Sequence, residues 1–153
     1  MAHIHEKIDF TVEVFIVCRG KVLLRFHDKY KIWLSVGGHV ELDEDPIHAA
    51  LREVREEVGL DVELAGNLER SEPDTADFKE LIPPRFMNRH RISPTHEHIT
   101  LTYFASSKTD EVKVGDVDDK SNEWKWVSLE ELKSMQLKPH VRHYAERALQ
   151  ELS

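Results

Sequence analysis

The sequence predicts an α/β fold in which helices pack against a mixed β-sheet. Three observations carry this. Apolar runs rich in β-branched and aromatic residues, notably Phe10 to Cys18, Lys21 to Phe26 and Ile99 to Ala105, read as strands. Stretches with helical spacing of apolar residues lie between and after them, and the order is mixed rather than segregated. At 153 residues the chain suffices for one compact core, so residues 1–153 are read as a single domain.

The elements follow in order. Phe10 to Cys18 and Lys21 to Phe26, joined by Arg19-Gly20, predict a β-hairpin. Tyr30 to Val36 predicts a short strand that Gly37-Gly38 ends in a tight loop. Asp45 is an N-cap and Pro46 a first helical residue, and Gly59 suits the left-handed position after a last turn, so the helix runs from about Pro46 to Val58. Leu60 to Leu68 predicts a strand. Glu69 to Glu97, with four prolines and little periodicity, predicts a long loop.

Ile99 to Ala105 is again a strand, followed by an acid-rich connection, Asp110 to Asn122, and a short strand, Glu123 to Val127. Ser128 and Glu131 form a capping box that opens a helix burying Leu129, Leu132 and Met135. Val141, Tyr144, Ala145, Ala148, Leu149 and Leu152 recur at helical spacing after Pro139, which predicts a terminal helix.

Charge narrows the function. The formal net charge of -8 disfavours a nucleic-acid duplex or an anionic membrane as partner, since both demand a basic footprint. An anionic ligand would need an intervening cation. The single cysteine, Cys18, sits in a strand run and reads as a small buried hydrophobe. No apolar run approaches the length of a bilayer span, and "MAHIHEKIDF" lacks the apolar block of a secretory signal, so a cytoplasmic setting is expected.

The predicted helix poses a problem. Ile47, Ala50, Leu51, Val54 and Val58 share one face, while Glu53, Glu56 and Glu57 crowd another, about a third of a turn away. Like charges at this spacing cost a few tenths of a kcal/mol each, and acids in a last turn oppose the helix dipole. Natural sequences break local rules at functional sites. A hard dication would relieve the repulsion by taking the carboxylates as oxygen ligands beside a phosphate. Arg52, four residues before Glu56, is positioned to orient such a ligand.

The stretch Gly38 to Leu60 resembles the signature of the Nudix hydrolases, G-x5-E-x7-R-E-U-x-E-E-x-G-U with U aliphatic. Gly38, Glu44, Arg52, Glu53, Val54, Glu56, Glu57, Gly59 and Leu60 fill its specified positions. With each fixed type at roughly one position in fifteen, a chance match is on the order of 10⁻⁹ per start, which sets coincidence aside. Val36 stands where many members have proline, and Asp43 where glycine is frequent; neither is a charge-bearing position of the signature.

The resemblance implies an α/β/α sandwich and hydrolysis of a nucleoside diphosphate linked to another moiety. Mg²⁺ (or Mn²⁺) would be held by Glu53, Glu56 and Glu57 with the backbone at Gly38. Glu53 and Arg52 then belong to the catalytic group. For the general base, Glu53 stands beside Glu97, Glu111, Asp118, Asp119 and Glu123 outside the signature, with Glu123 favoured because "NEWKWVSLEEL" resembles the family's acid-then-tryptophan strand.

The substrate the resemblance implies is a small nucleotide, with a nucleoside triphosphate, oxidised or not, as the first expectation. ADP-ribose, a nucleotide sugar and a dinucleoside polyphosphate are the alternatives, and a non-catalytic nucleotide-binding module is the rival from another class. An isoprenoid-diphosphate isomerase shares "GGHVE" but relies on a catalytic cysteine, and Cys18 lies outside the signature. "RFMNRHRISPTHEH" offers Arg85, Arg89 and Arg91 to phosphates, with His90, His96 and His98 beside them, and Phe86 or Trp33 to a base. His96 and His98 share a side if extended, yet two ligands without a third make no zinc site. A homodimer is left open.

Overall fold

A computed structural model of the chain describes residues 5–114 and 123–153. In chain order the elements are β1 (Ile8–Cys18), β2 (Lys21–His27), β3 (Ile32–Leu34), β4 (Val36–His39), α1 (Pro46–Val58), β5 (Val62–Leu64), β6 (Phe86–Ser93), β7 (His96–Ser107), β8 (Glu123–Val127), α2 (Leu129–Ser134) and α3 (Pro139–Leu152). Among the described residues one mixed sheet runs β3-β2-β1-β7-β5, with β4 joined to β1, β6 to β7 and β8 to β2. Its spine is the parallel pairing of β1 with β7, in register from Ile8↔Glu97 to Val17↔Ser106.

Alternation along β1 divides the core into two layers, because successive side chains leave opposite faces of a strand. Val12, Val14 and Ile16 pack with Ala50, Val54 and Val58 of α1. Phe15 and Val17 pack on the other face with Leu132 of α2 and with Val141, Tyr144, Ala145, Ala148 and Leu149 of α3. The result is helices on both faces of a mixed sheet, the α/β/α sandwich that the resemblance implies.

Local signals behave as their chemistry dictates. The Asp45 side chain accepts from His48 N at 2.9 Å, and Gly59 ends α1 with φ 65°, a conformation a β-carbon would strain. Ser128 accepts from Glu131 N at 3.2 Å to start α2. Cys18 is buried. Among the described residues no helix is long and apolar enough to cross a membrane.

Several expectations need correction, among them Leu129, which is exposed on α2 where burial was expected. Gly37 and Gly38 form no tight loop; they lie inside β4, paired with Glu13 and Val12 of β1. The strand expected over Leu60 to Leu68 is only Val62–Leu64. The long loop from Glu69 to Glu97 contains β6 and the first residues of β7, which pair as a hairpin from Phe86↔Thr102 to Ser93↔His96. Asp118 and Asp119 lie outside the described residues.

One departure from apolar patterning positions the site. The β1 row that begins with Phe15 and Val17 under α3 continues as Glu13, Thr11 and Asp9. Their β7 partners change in step, Phe104↔Phe15 giving way to Thr102↔Glu13, Thr100↔Thr11 and His98↔Asp9. The same face of one sheet is therefore apolar under the helix and polar where the cleft opens.

Candidate active site

The acids of α1 converge because the helix packs across β4. Glu53 is 5 % exposed, and its carboxylate lies directly on Gly38, where a β-carbon would fall inside the carboxyl group. Only glycine lets the strand approach so closely. Glu57, 17 % exposed, reaches Arg25 of β2 at 3.5 Å, while Glu56 is 57 % exposed. Leu51 is only half-buried, and Ala49 takes part in the core in addition to Ala50.

Arg52 gathers the acids on the other side. Its guanidinium donates to Glu44 at 2.6 and 3.0 Å, to Glu53 at 2.9 Å, to Glu56 at 3.2 Å and to the His39 carbonyl at 3.0 Å. The fork onto Glu44 is the bidentate geometry for which arginine is suited, and it holds Glu44 below the usual carboxylate range. One planar cation thus ties the loop before α1, the helix and β4 together.

Burial raises Glu53 against the pull of Arg52. Glu57 is pushed up to about 8, first by burial and then by the neighbouring Glu53 charge, against the Arg25 charge and the Gly37 N–H. Two buried carboxyls that hydrogen-bond to each other share a proton because both cannot ionise cheaply side by side. Glu57 Oε2 is buried and has no hydrogen-bond partner among the described residues. These are hard oxygen donors with more negative charge than their surroundings neutralise, and they fit a hard dication such as Mg²⁺ or Mn²⁺.

Beside the acids opens a cleft of ≈ 520 Å³, a size ordinary for small-molecule sites. It lies where β2 and β4 part company along β1. Glu13 forms its floor, accepting from Thr102 Oγ1 at 2.6 Å and from Ser35 Oγ at 3.2 Å, and burial raises its pKa. Arg25, His27, Tyr30, Gly37, Gly38, His39, His90 and His98 complete the wall. Arg25 belongs to both cleft and carboxylate cluster, so it marks the passage between them.

The predicted substrate contacts fall elsewhere. Arg85 forms a two-pronged pair with Glu151 of α3 at 2.6 and 3.0 Å. Arg89 pairs with Glu97 at 3.1 Å, and Arg91 is exposed opposite Glu97. Alternation along β6 sends Arg89 and Arg91 to the face opposite His90, and it is His90 that lines the cleft. Phe86 stacks on Tyr144 of α3 with centroids 4.8 Å apart. Trp33 packs on Phe26 at 5.2 Å and borders a separate hollow with Gln136, Leu137 and Lys138.

Among the outlying acids, Glu123 is exposed on β8, on the face opposite Trp124, whose ring lies 5.8 Å from the Arg25 guanidinium carbon. Glu111 is exposed in the connection after β7. Neither is brought to the carboxylate cluster.

Sequence reasoning missed Arg25, Glu13 and Tyr30. A signal existed for the first two. Arg25 and Glu13 are charges set in the interior of largely apolar strands, "KVLLRFH" and "IDFTVEVFIVC". Tyr30 gave none, since its place on the rim beside the His27 ring, 4.7 Å away, follows from tertiary geometry alone.

The chain matches the NUDIX domain profile over residues 8–148. It is similar to a hydrolase of the NUDIX family from Clostridium perfringens, with a TM-score of 0.86 and 37% identity, covering 95% of this chain and 98% of that one. It shares its fold with a MutT NUDIX hydrolase from Burkholderia pseudomallei, at a TM-score of 0.63 and 23% identity over 97% and 100% of the two chains. A MutT protein from Methanosarcina mazei Go1 stands at a TM-score of 0.63 and 22% identity, covering 97% of each chain. No curated protein matches. With its signature residues gathered on α1 and β4, a profile match over most of its length and a relative above a third identical, the chain belongs to the Nudix hydrolase family.

Proposed function

We propose that this single-domain hydrolase cleaves the diphosphate linkage of a nucleoside triphosphate, with water as nucleophile and Mg²⁺ or Mn²⁺ as cofactor. The observation that carries the reading is the buried Glu53–Glu57 pair opening, through Arg25, onto a cleft of ≈ 520 Å³. Glu53, Glu56 and Glu57 would hold the cation. When bound, it neutralises non-bridging phosphate oxygens and makes a water more acidic.

The remaining work falls to the protein's own groups. Arg52 keeps Glu53 and Glu56 in place through its hydrogen bonds, as a positioning residue. Arg25 offers its cationic edge to the phosphates from the cleft side. Glu53 accepts the proton of the attacking water as the new O–P bond forms, and the bridging P–O bond breaks with its electron pair leaving on the departing phosphate oxygen. Glu53 is favoured over Glu123 because it lies within the cluster, whereas Glu123 faces away on β8.

The floor supports a nucleobase. Glu13 accepts from Thr102 and Ser35, which fix the orientation of its carboxyl and leave its remaining lone pairs to the edge of a base. Tyr30, 59% exposed on the rim, offers the stacking surface that Trp33 does not. An acidic protein with one local cationic entrance suits a metal-neutralised nucleotide rather than a nucleic-acid duplex. The cytoplasm, where such nucleotides occur, is the expected setting.

The test is a panel of nucleoside triphosphates, ADP-ribose, nucleotide sugars and dinucleoside polyphosphates with Mg²⁺ or Mn²⁺, with products identified by mass. Release of a nucleoside monophosphate or diphosphate from a triphosphate supports the reading. Turnover confined to another class replaces the substrate, and an inert panel replaces catalysis with nucleotide binding.

A further inference from the structure

The polar row of β1 ends in a second cluster, distinct from the carboxylates of α1. Asp9, His39 and His98 come from β1, β4 and β7, and each offers one ligand atom lying within 4.8 Å of the other two. Asp9 is 1% exposed, an unusual place for a carboxylate, since a buried charge needs a compensating partner. His39 Nε2 lies 3.4 Å from Asp9 Oδ2, and the His39 and His98 rings meet edge-on with centroids 5.1 Å apart.

The neighbours are arranged as supports. His96 Nδ1 bonds to the Glu6 carbonyl at 2.9 Å, and its Nε2 lies 3.2 Å from Asp9 Oδ2. His5 N donates to Asp9 Oδ1 at 2.5 Å. Both contacts fix the carboxylate, the role that outer hydrogen bonds play around metal ligands. On the cleft side His90 stands 5.7 Å from His98, ring to ring, with its Nδ1 2.8 Å from Asn88 Oδ1. Register sets these positions, because His98 pairs with Asp9 and His90, and Thr11 with His39.

We propose that Asp9, His39 and His98 bind a transition-metal dication of the zinc or cobalt type at the rim of the nucleotide cleft, separately from the Mg²⁺ of the α1 acids. Two imidazoles and one carboxylate form a donor set that suits zinc, cobalt or nickel, whereas Mg²⁺ prefers oxygen ligands alone. Tetrahedral zinc brings its ligands to about 3.4 Å from one another, which small side-chain rotations reach from the present spacing. Three protein ligands leave one position open. His39 and His98 line the cleft, so that position faces the bound molecule and takes water or a donor atom from it.

The sequence showed only part of this site. His96-Glu97-His98 supplied one ligand, His98, and one support, His96, on one strand face, and the other two ligands arrive from residues 9 and 39, far apart in the chain and adjacent only in the sheet.

The experiment titrates the full chain, free of added histidine tags, with Co²⁺ in excess Mg²⁺, which occupies the α1 carboxylates. Calorimetry is expected to give one Co²⁺ per chain, and X-ray absorption of that complex to show two imidazole scatterers. His39→Ala and His98→Ala should each weaken Co²⁺ binding at least about tenfold, and Glu57→Gln should leave it unchanged. No Co²⁺ uptake in excess Mg²⁺, or a coordination sphere without imidazole, overturns the proposal, and the wild-type absorption measurement decides even where a histidine variant fails to fold.

Discussion

Arg25 Nη1 lies 3.5 Å from Glu57 Oε2, so a cation rooted in β2 touches the most perturbed acid of α1 while also forming part of the cleft wall. This contact joins the two halves of the site. A bound triphosphate would meet Arg25 from the cleft side as the metal-bearing acids meet it from the other.

Arg25→Ala is therefore expected to raise KM for the nucleotide about 10- to 100-fold, the worth of one charge-assisted hydrogen bond, with a smaller change in kcat. Steady-state kinetics on the best substrate of the panel measures this. An unchanged KM would remove Arg25 from phosphate binding.

Glu57 predicts a pH dependence for the metal-free protein. Its carboxyl titrates near 8 when folded, against an ordinary value of 4.5. Between those values the folded state holds a proton that the unfolded chain has released, so stability falls as pH rises through this window. Thermal unfolding in chelator should show that decline, and Glu57→Gln should flatten it. Mg²⁺ binding at pH 7 should release about one proton, read by calorimetry in buffers of differing ionisation enthalpy.

Gly38→Ala would set a β-carbon inside the Glu53 carboxylate. Either β4 retreats or Glu53 turns away. A loss of about 1–3 kcal/mol in urea unfolding is expected, as for overpacking elsewhere, together with weaker Mg²⁺ binding. Wild-type values for both would mean that the close approach of strand and acid is dispensable.

The helix was legible in the sequence because its signals are local: a cap at Asp45, a left-handed stop at Gly59, and acids whose spacing contradicts helix electrostatics unless something neutralises them. That helices pack on a mixed sheet was legible for the same reason, from apolar runs and their order, whereas the sandwich followed from the resemblance of the Gly38 to Leu60 stretch. What β4 and β6 do was not. Val36–His39 and Phe86–Ser93 are polar or glycine-rich strands held by pairing with β1 and β7, so neither alternation nor propensity announces them.

The lining of the cleft was not legible where one residue of register decides the outcome. Arg89, His90 and Arg91 are consecutive, and a strand sends neighbours to opposite faces, so counting basic residues chose the arginines while the cleft received the histidine. Trp33 likewise lies beside Phe26, in a separate hollow with Gln136, Leu137 and Lys138.

The most direct measurement is Mg²⁺-dependent turnover of the best panel substrate by Glu57→Gln beside the wild type, with the unfolding midpoint of each recorded. Glutamine keeps the shape and removes the charge that holds the cation, so turnover should fall at least about a hundredfold while the midpoint is unchanged or higher. Turnover within a few-fold of the wild type would contradict metal binding by the buried α1 acids.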